Sequence, residues 1–129
     1  MLSIFLNMKV CIIDDNESIT KLISKFLEMK GHESVIVNSG KEGLEILEKE
    51  DFDSVVLDLA MPEFSGDMVL DGLNKSGRIT NHRICVFTAS SILDPELEKL
   101  KDKGVLHILK KPVDLPNLIS TLEEINNSK

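Results

Sequence analysis

The chain has 129 residues, 42% of them hydrophobic and 29% charged, and a formal net charge of -7. This composition suits one soluble globular domain large enough to bury a core. With 4% aromatics and no Trp or Tyr, it lacks stacking platforms for single-stranded nucleic acid, and its acidity opposes contact with phosphate backbones.

Residues 1–8 read as a short extension of a single domain spanning 1–129, and Met8 is a candidate alternative start. The opening MLSIFLN has no basic leader, adequate apolar core or small-residue cleavage site. No apolar run approaches the roughly 20 residues of a membrane span. The first strand candidate is KVCII, Lys9 to Ile13, ending in Asp14-Asp15. Asn16 reads as a helix N-cap, followed by Ile19, Leu22, Ile23, Phe26 and Leu27 at helical spacing, with Gly31 as the stop.

Ser34 to Val37 forms a short second strand, and a helix from Lys41 to Lys49 carries Leu44, Ile46 and Leu47. The third strand holds Val55-Val56-Leu57 and ends in Asp58, followed by the turn formers Pro62 and Gly66. An uninterrupted apolar run of this kind marks a buried parallel strand. The next helix carries Met68, Val69, Leu70 and Leu73 and gives way to a polar loop, Asn74 to Asn81.

Arg83 to Thr88 is the fourth strand, and Asp94-Pro95 opens a helix with Leu97 and Leu100 facing inward and Gly104 at its end. Val105 to Leu109 is the fifth strand, Lys110-Lys111-Pro112 interrupts it, and Asp114 caps a last helix through Leu115, Leu118, Ile119, Leu122 and Ile125. Cys11 and Cys85 sit inside apolar runs as small buried hydrophobes, consistent with a reducing compartment. His32 and His82 fall in loops and His107 in the last strand, none at metal-ligand spacing.

Five repeats of strand then helix imply an α/β fold: a doubly wound parallel sheet with helices on both faces. Asp14, Asp15, Asp58, Thr88 and Lys111 all follow the apolar runs of strands, so a parallel sheet gathers them on one edge. Right-handed crossovers place the first strand beside the third, where the three carboxylates converge. Asp58 is expected to be exposed enough to react. Converging carboxylates repel, and at least one pKa should rise. A hard cation such as Mg²⁺ relieves that repulsion, Lys111 offers a point charge for a phosphate oxygen, and Thr88 offers a hydroxyl. Phosphoryl transfer needs little beyond such positioning and neutralisation.

Each residue alone has a plainer reading. An acidic pair is favoured at a helix N-terminus, Thr suits strands, and Lys111 is one of two adjacent lysines near a turn. Their coincidence at one edge shifts the balance.

IIDDN with Asp14 and Asp15, DLAMPEFSG with Asp58, Met61, Pro62 and Gly66, FTAS with Thr88-Ala89, and KKP with Lys111-Pro112 together resemble the receiver domain of two-component response regulators. The resemblance runs from Lys9 to about Ile125, and the expected protein is a single-domain, chemotaxis-regulator-like receiver. It implies a flavodoxin-like strand order of 2-1-3-4-5. Asp58 would accept a phosphoryl group from a phosphohistidine on a sensor histidine kinase or histidine phosphotransfer protein. Asp15, Asp58 and the Ala60 carbonyl would bind Mg²⁺ (or Mn²⁺) directly, with Asp14 acting through water. Thr88 and Lys111 would contact the phosphoryl oxygens, Lys111 rather than Lys110 because it directly precedes Pro112.

The resemblance further implies a cis Lys111-Pro112 bond, self-catalysed hydrolysis of the aspartyl phosphate, a cytoplasmic location and a downstream protein partner. The switching face would comprise the fourth helix, fifth strand and fifth helix. Ile108 departs from the family's usual aromatic and lacks its hydroxyl and flat ring. Small residues at Ala60 and Ser90 leave the phosphate without special protection. An aspartate-nucleophile phosphatase of the dehalogenase type needs a second Asp where this chain has Ala60, which counts against it. The alternatives are a receiver-like scaffold that is not phosphorylated, or a receiver excised from a larger regulator or hybrid kinase.

Overall fold

The computed structural model describes residues 7–88, 94–112 and 114–127. Among them β1 (Lys9–Ile13), α1 (Glu17–Met29), β2 (Glu33–Val37), α2 (Gly40–Lys49) and β3 (Ser54–Asp58) form the first half. The second half comprises α3 (Gly66–Ser76), β4 (Ile84–Thr88), α4 (Asp94–Asp102), β5 (Val105–Lys110) and α5 (Leu115–Asn127). The strands make one parallel sheet in the order β2-β1-β3-β4-β5, the doubly wound arrangement expected from the alternation.

Side chains alternate across a strand, and here that alternation builds two cores. Cys11, Ile13, Val55, Leu57, Ile84 and Val86 cluster with Leu47 of α2, Val69, Leu70 and Leu73 of α3, and Leu100 of α4. Val10, Ile12, Val56, Cys85 and Phe87 cluster with Ile23 and Leu27 of α1 and with Leu118, Ile119 and Leu122 of α5. All five residues of β3 are buried, which is why its centre, Val55-Val56-Leu57, is an uninterrupted apolar run between Ser54 and Asp58. Burial also pushes the Cys11 and Cys85 thiols up to about 12, leaving them unreactive.

The helix ends follow local chemistry. Asn16 Oδ1 accepts from the Ile19 N–H at 3.2 Å, and Asp114 Oδ1 accepts from the Asn117 N–H at 3.3 Å. After α1, Gly31 takes a φ of +86°. Its N–H then donates to the Glu28 carbonyl, and the His32 N–H donates to the Leu27 carbonyl, closing the helix as a Schellman motif.

Several expectations change. Met8, counted with the N-terminal extension, is 1% exposed and belongs to the α1/α5 core. Leu22 and Met68, counted on apolar faces, are exposed. The buried stripe of α1 runs through Thr20, Ile23, Ser24 and Leu27, and Leu22 lies about 100° round the helix from Ile23. The segment Asn74 to Asn81 is not simply a loop: α3 continues to Ser76, Gly77 takes a left-handed conformation, and a 3-10 turn covers Arg78–Asn81. The Asp94 side chain, Ala89 and Ser90 lie outside the described residues.

The two loop histidines are buried and bonded. His32 Nδ1 accepts from the Met8 N–H at 3.0 Å, and its Nε2 lies 3.0 Å from Glu123 Oε2. His82 Nδ1 accepts from the Phe52 N–H at 3.4 Å, while Nε2 lies 2.9 Å from the Leu47 carbonyl. Each ring thus ties a strand entrance to a neighbouring element, a role invisible in sequence because the partners are 24 to 91 residues away.

Candidate acidic site at the carboxyl edge of the sheet

Parallel pairing of β1 with β3 sets Ile13 against Leu57, so the residues that follow emerge side by side. One oxygen each of Asp14, Asp15 and Asp58 fall within 4.8 Å of one another. Asp14 and Asp58 are buried, and Asp15 is exposed.

Asp14 is held at three points. Its N–H donates to the Val37 carbonyl at 3.1 Å. Its Oδ1 accepts from the Asn16 N–H at 2.9 Å, and its backbone carbonyl accepts from Asn38 Nδ2 at 2.8 Å. Asn38, and Thr20 beneath it at 3.1 Å, were not recognised from sequence. No local signal marks them, since each acts through a residue on another element.

Asp58 closes β3. Its Oδ1 accepts from the Ala60 N–H at 3.3 Å, and its backbone carbonyl meets the start of α3 so closely that a Cβ on Gly66 would lie 2.5 Å from it. Only glycine permits that approach. Asp58 is 2% exposed, against the expectation of an exposed carboxylate. It ends a strand buried along its whole length, and Lys111 Nζ lies 3.3 Å from Asp58 Oδ1 and 3.5 Å from Asp14 Oδ2.

Lys111 reaches this position because β5, after a register shift opposite Ile84 and Cys85, stays paired with β4 from Cys85 to Thr88. Thr88 pairs with Lys110, and the Lys111 N–H donates to the Thr88 carbonyl at 2.9 Å. The following Lys111-Pro112 bond is cis. Thr88 is buried at the same edge, beside the chain that delivers Lys111. Ala60 is exposed just beyond Asp58.

The electrostatics follow from this crowding. Burial lifts the Asp14 carboxyl to about 6; the Asn16 N–H opposes the rise, and the neighbouring Asp58 carboxylate adds to it. Repulsion was the expected cause, but desolvation is the larger one. Burial disfavours charge on Lys111, yet the carboxylates of Asp14 and Asp58 outweigh it and its pKa is raised. An all-oxygen donor set with surplus negative charge fits a hard divalent cation better than a soft one.

The sequence pattern of the response regulator receiver domain matches residues 10–123. The chain is 28% identical over 114 residues to the polar-differentiation response regulator DivK of Brucella ovis, spanning 88% of this chain and 92% of that protein. It is 33% identical over 129 residues to hybrid signal transduction histidine kinase K of Dictyostelium discoideum, spanning 90% of this chain but only 10% of that protein. The solved receiver domain of Francisella response regulator 1452 superposes with a TM-score of 0.85 at 27% identity, over 95% of this chain and 98% of that one. Among the described residues no helix is long and apolar enough to cross a membrane.

Proposed function

The chain belongs to the response regulator receiver domain family, and on that premise we propose that it is a phosphoacceptor switch. Asp58 takes a phosphoryl group from the phosphohistidine of a sensor histidine kinase or a histidine phosphotransfer protein. The single observation that carries this reading is the grouping of three carboxylates within 4.8 Å, with the Lys111 ammonium 3.3 Å from Asp58.

In the proposed step, an Asp58 carboxylate oxygen forms a bond to phosphorus as the phosphorus–nitrogen bond breaks, and the electron pair departs with the donor imidazole. Lys111 pairs with a phosphoryl oxygen in place of the Asp58 carboxylate, and Thr88 donates its hydroxyl to another. Asp15, Asp58 and the Ala60 carbonyl would hold Mg²⁺ (or Mn²⁺), with Asp14 acting through water. Bound there, the ion would neutralise carboxylate and phosphoryl charge. Water attack on phosphorus later returns the Asp58 carboxylate and inorganic phosphate, so the protein resets itself without acting on another substrate.

Lys111 covers Asp58, so its half-buried side chain must swing to admit the donor. The signal leaves through α4, β5 and α5, where Leu106, His107 and Lys110 are exposed and open to a protein partner. Ile108 is half-buried and packs against the α2/α3 core, an aliphatic contact where the family usually presents an aromatic. The cytoplasm, where such donors act, is the proposed location.

The test is intact-mass spectrometry after incubation with Mg²⁺ and a small acyl phosphate. One metal-dependent phosphoryl adduct is expected on wild type and none on Asp58→Asn. An adduct of equal yield on the variant would move the acceptor elsewhere.

A further inference from the structure

The Asp14-Asp15 pair is positioned by a side chain from a different βα unit. Asn38 follows β2, yet its Nδ2 donates to the Asp14 carbonyl at 2.8 Å and to Thr20 Oγ1 at 3.1 Å. Thr20, fully buried in the first turns of α1, donates in turn to the Glu17 carbonyl at 3.1 Å. The Asp14 carbonyl shares its rigid peptide plane with the Asp15 N–H. A bond to that oxygen therefore sets the tilt of the plane and the direction in which the chain delivers Asp15.

The Asp14 N–H, bonded to the Val37 carbonyl at 3.1 Å, fixes the opposite side of the same residue. Both restraints come from the end of β2, from successive residues. The Asp14 carboxylate has its own clamp in the Asn16 N–H, but the Asn38 bond is the one that acts on the peptide leading to exposed Asp15.

We infer that Asn38, seated on Thr20, is a positioning residue that orients the Asp14-Asp15 peptide so that Asp15 and Asp58 can share one divalent cation. The inference rests on the metal-binding part of the proposed function. Ligands held by outer partners bind metal more tightly because less ordering is left to the binding event, and loss of such a partner lowers affinity by about tenfold or more.

The experiment measures Mn²⁺ affinity of the metal-free protein by electron paramagnetic resonance of the free ion, alongside Asp58 labelling by a small acyl phosphate across a Mn²⁺ series. Asn38→Leu keeps the volume and removes the donor. It is expected to raise the dissociation constant about tenfold, while its labelling rate at saturating Mn²⁺ returns to the wild-type value. Thr20→Val, which keeps the shape under Asn38 but removes its acceptor, is expected to give a smaller rise of the same kind.

Unchanged affinity in Asn38→Leu overturns the inference. So does a labelling loss that saturating Mn²⁺ fails to recover, because that assigns Asn38 to folding alone. Should Asn38→Leu not fold, Thr20→Val decides by the same criteria. Wild type that binds no Mn²⁺ removes the metal reading and this inference together. Wild-type binding with unaltered variants removes the inference only.

Discussion

Lys111 Nζ lies 3.3 Å from Asp58 Oδ1, joining residues 53 positions apart at the ends of β5 and β3. The same ammonium lies 3.5 Å from Asp14 Oδ2, so one half-exposed cation compensates two buried carboxylates. Removing it leaves buried negative charge unpaired, which is costly.

Lys111→Met is therefore expected to lose stability in metal-free buffer, by about 1–2 kcal/mol after allowing for solvent at the lysine. Added Mg²⁺ should restore more of its melting temperature than it adds to wild type, because the ion no longer competes with an ammonium. Thermal melts with and without Mg²⁺ check this. An equal Mg²⁺ response in both proteins would show that Lys111 and the ion do not share the carboxylates.

Asp14 makes the pH dependence unusual for a carboxylate. Its folded pKa is about 6, above the ordinary value of 3.8, so between these values the folded state binds the proton more readily than the unfolded chain. Its contribution to stability is fully present below 3.8 and is lost as pH rises through 6. Asp14→Asn should stabilise the metal-free protein at pH 8 by about 1–3 kcal/mol, with the advantage gone by pH 3.5. Urea denaturation of both proteins across that range measures it.

His82 acts in the opposite direction. Burial lowers its pKa; the Leu47 carbonyl, Asp51 and Glu48 raise it, and the Arg78 guanidinium lowers it further. The unfolded chain therefore takes the proton first, and stability present above the ordinary value of 6.5 is lost as pH falls through the depressed folded value. His82→Gln keeps an acceptor for the Phe52 N–H and a donor for the Leu47 carbonyl. Its denaturation midpoint should fall less than that of wild type between pH 7.5 and 5.5.

Gly66→Ala tests the approach of α3 to the Asp58 backbone. A Cβ there would lie 2.5 Å from the Asp58 carbonyl and 2.8 Å from Leu59 Cα, and backbone cannot yield as a flexible side chain can. The expected loss is about 1–3 kcal/mol, with slower Asp58 labelling because the strand end must shift. Denaturation and labelling kinetics on one preparation would show whether the two move together.

Much of this protein was legible because its signals are local. The apolar runs of β1, β3 and β4, the caps at Asn16 and Asp114 and the stop at Gly31 depend on neighbours within a few residues. Alternation of strands with helices determined a parallel sheet, and chain direction alone then sent Asp14, Asp58, Thr88 and Lys111 to the same edge. What the tertiary structure decided has partners distant in sequence. Lys111 folding over Asp58, Asn38 holding the Asp14 carbonyl, and the burial of His32 and His82 all join separate βα units. A hydrogen bond or ion pair between such units leaves no periodicity behind, because its energy depends on a distance that exists only once the sheet has formed.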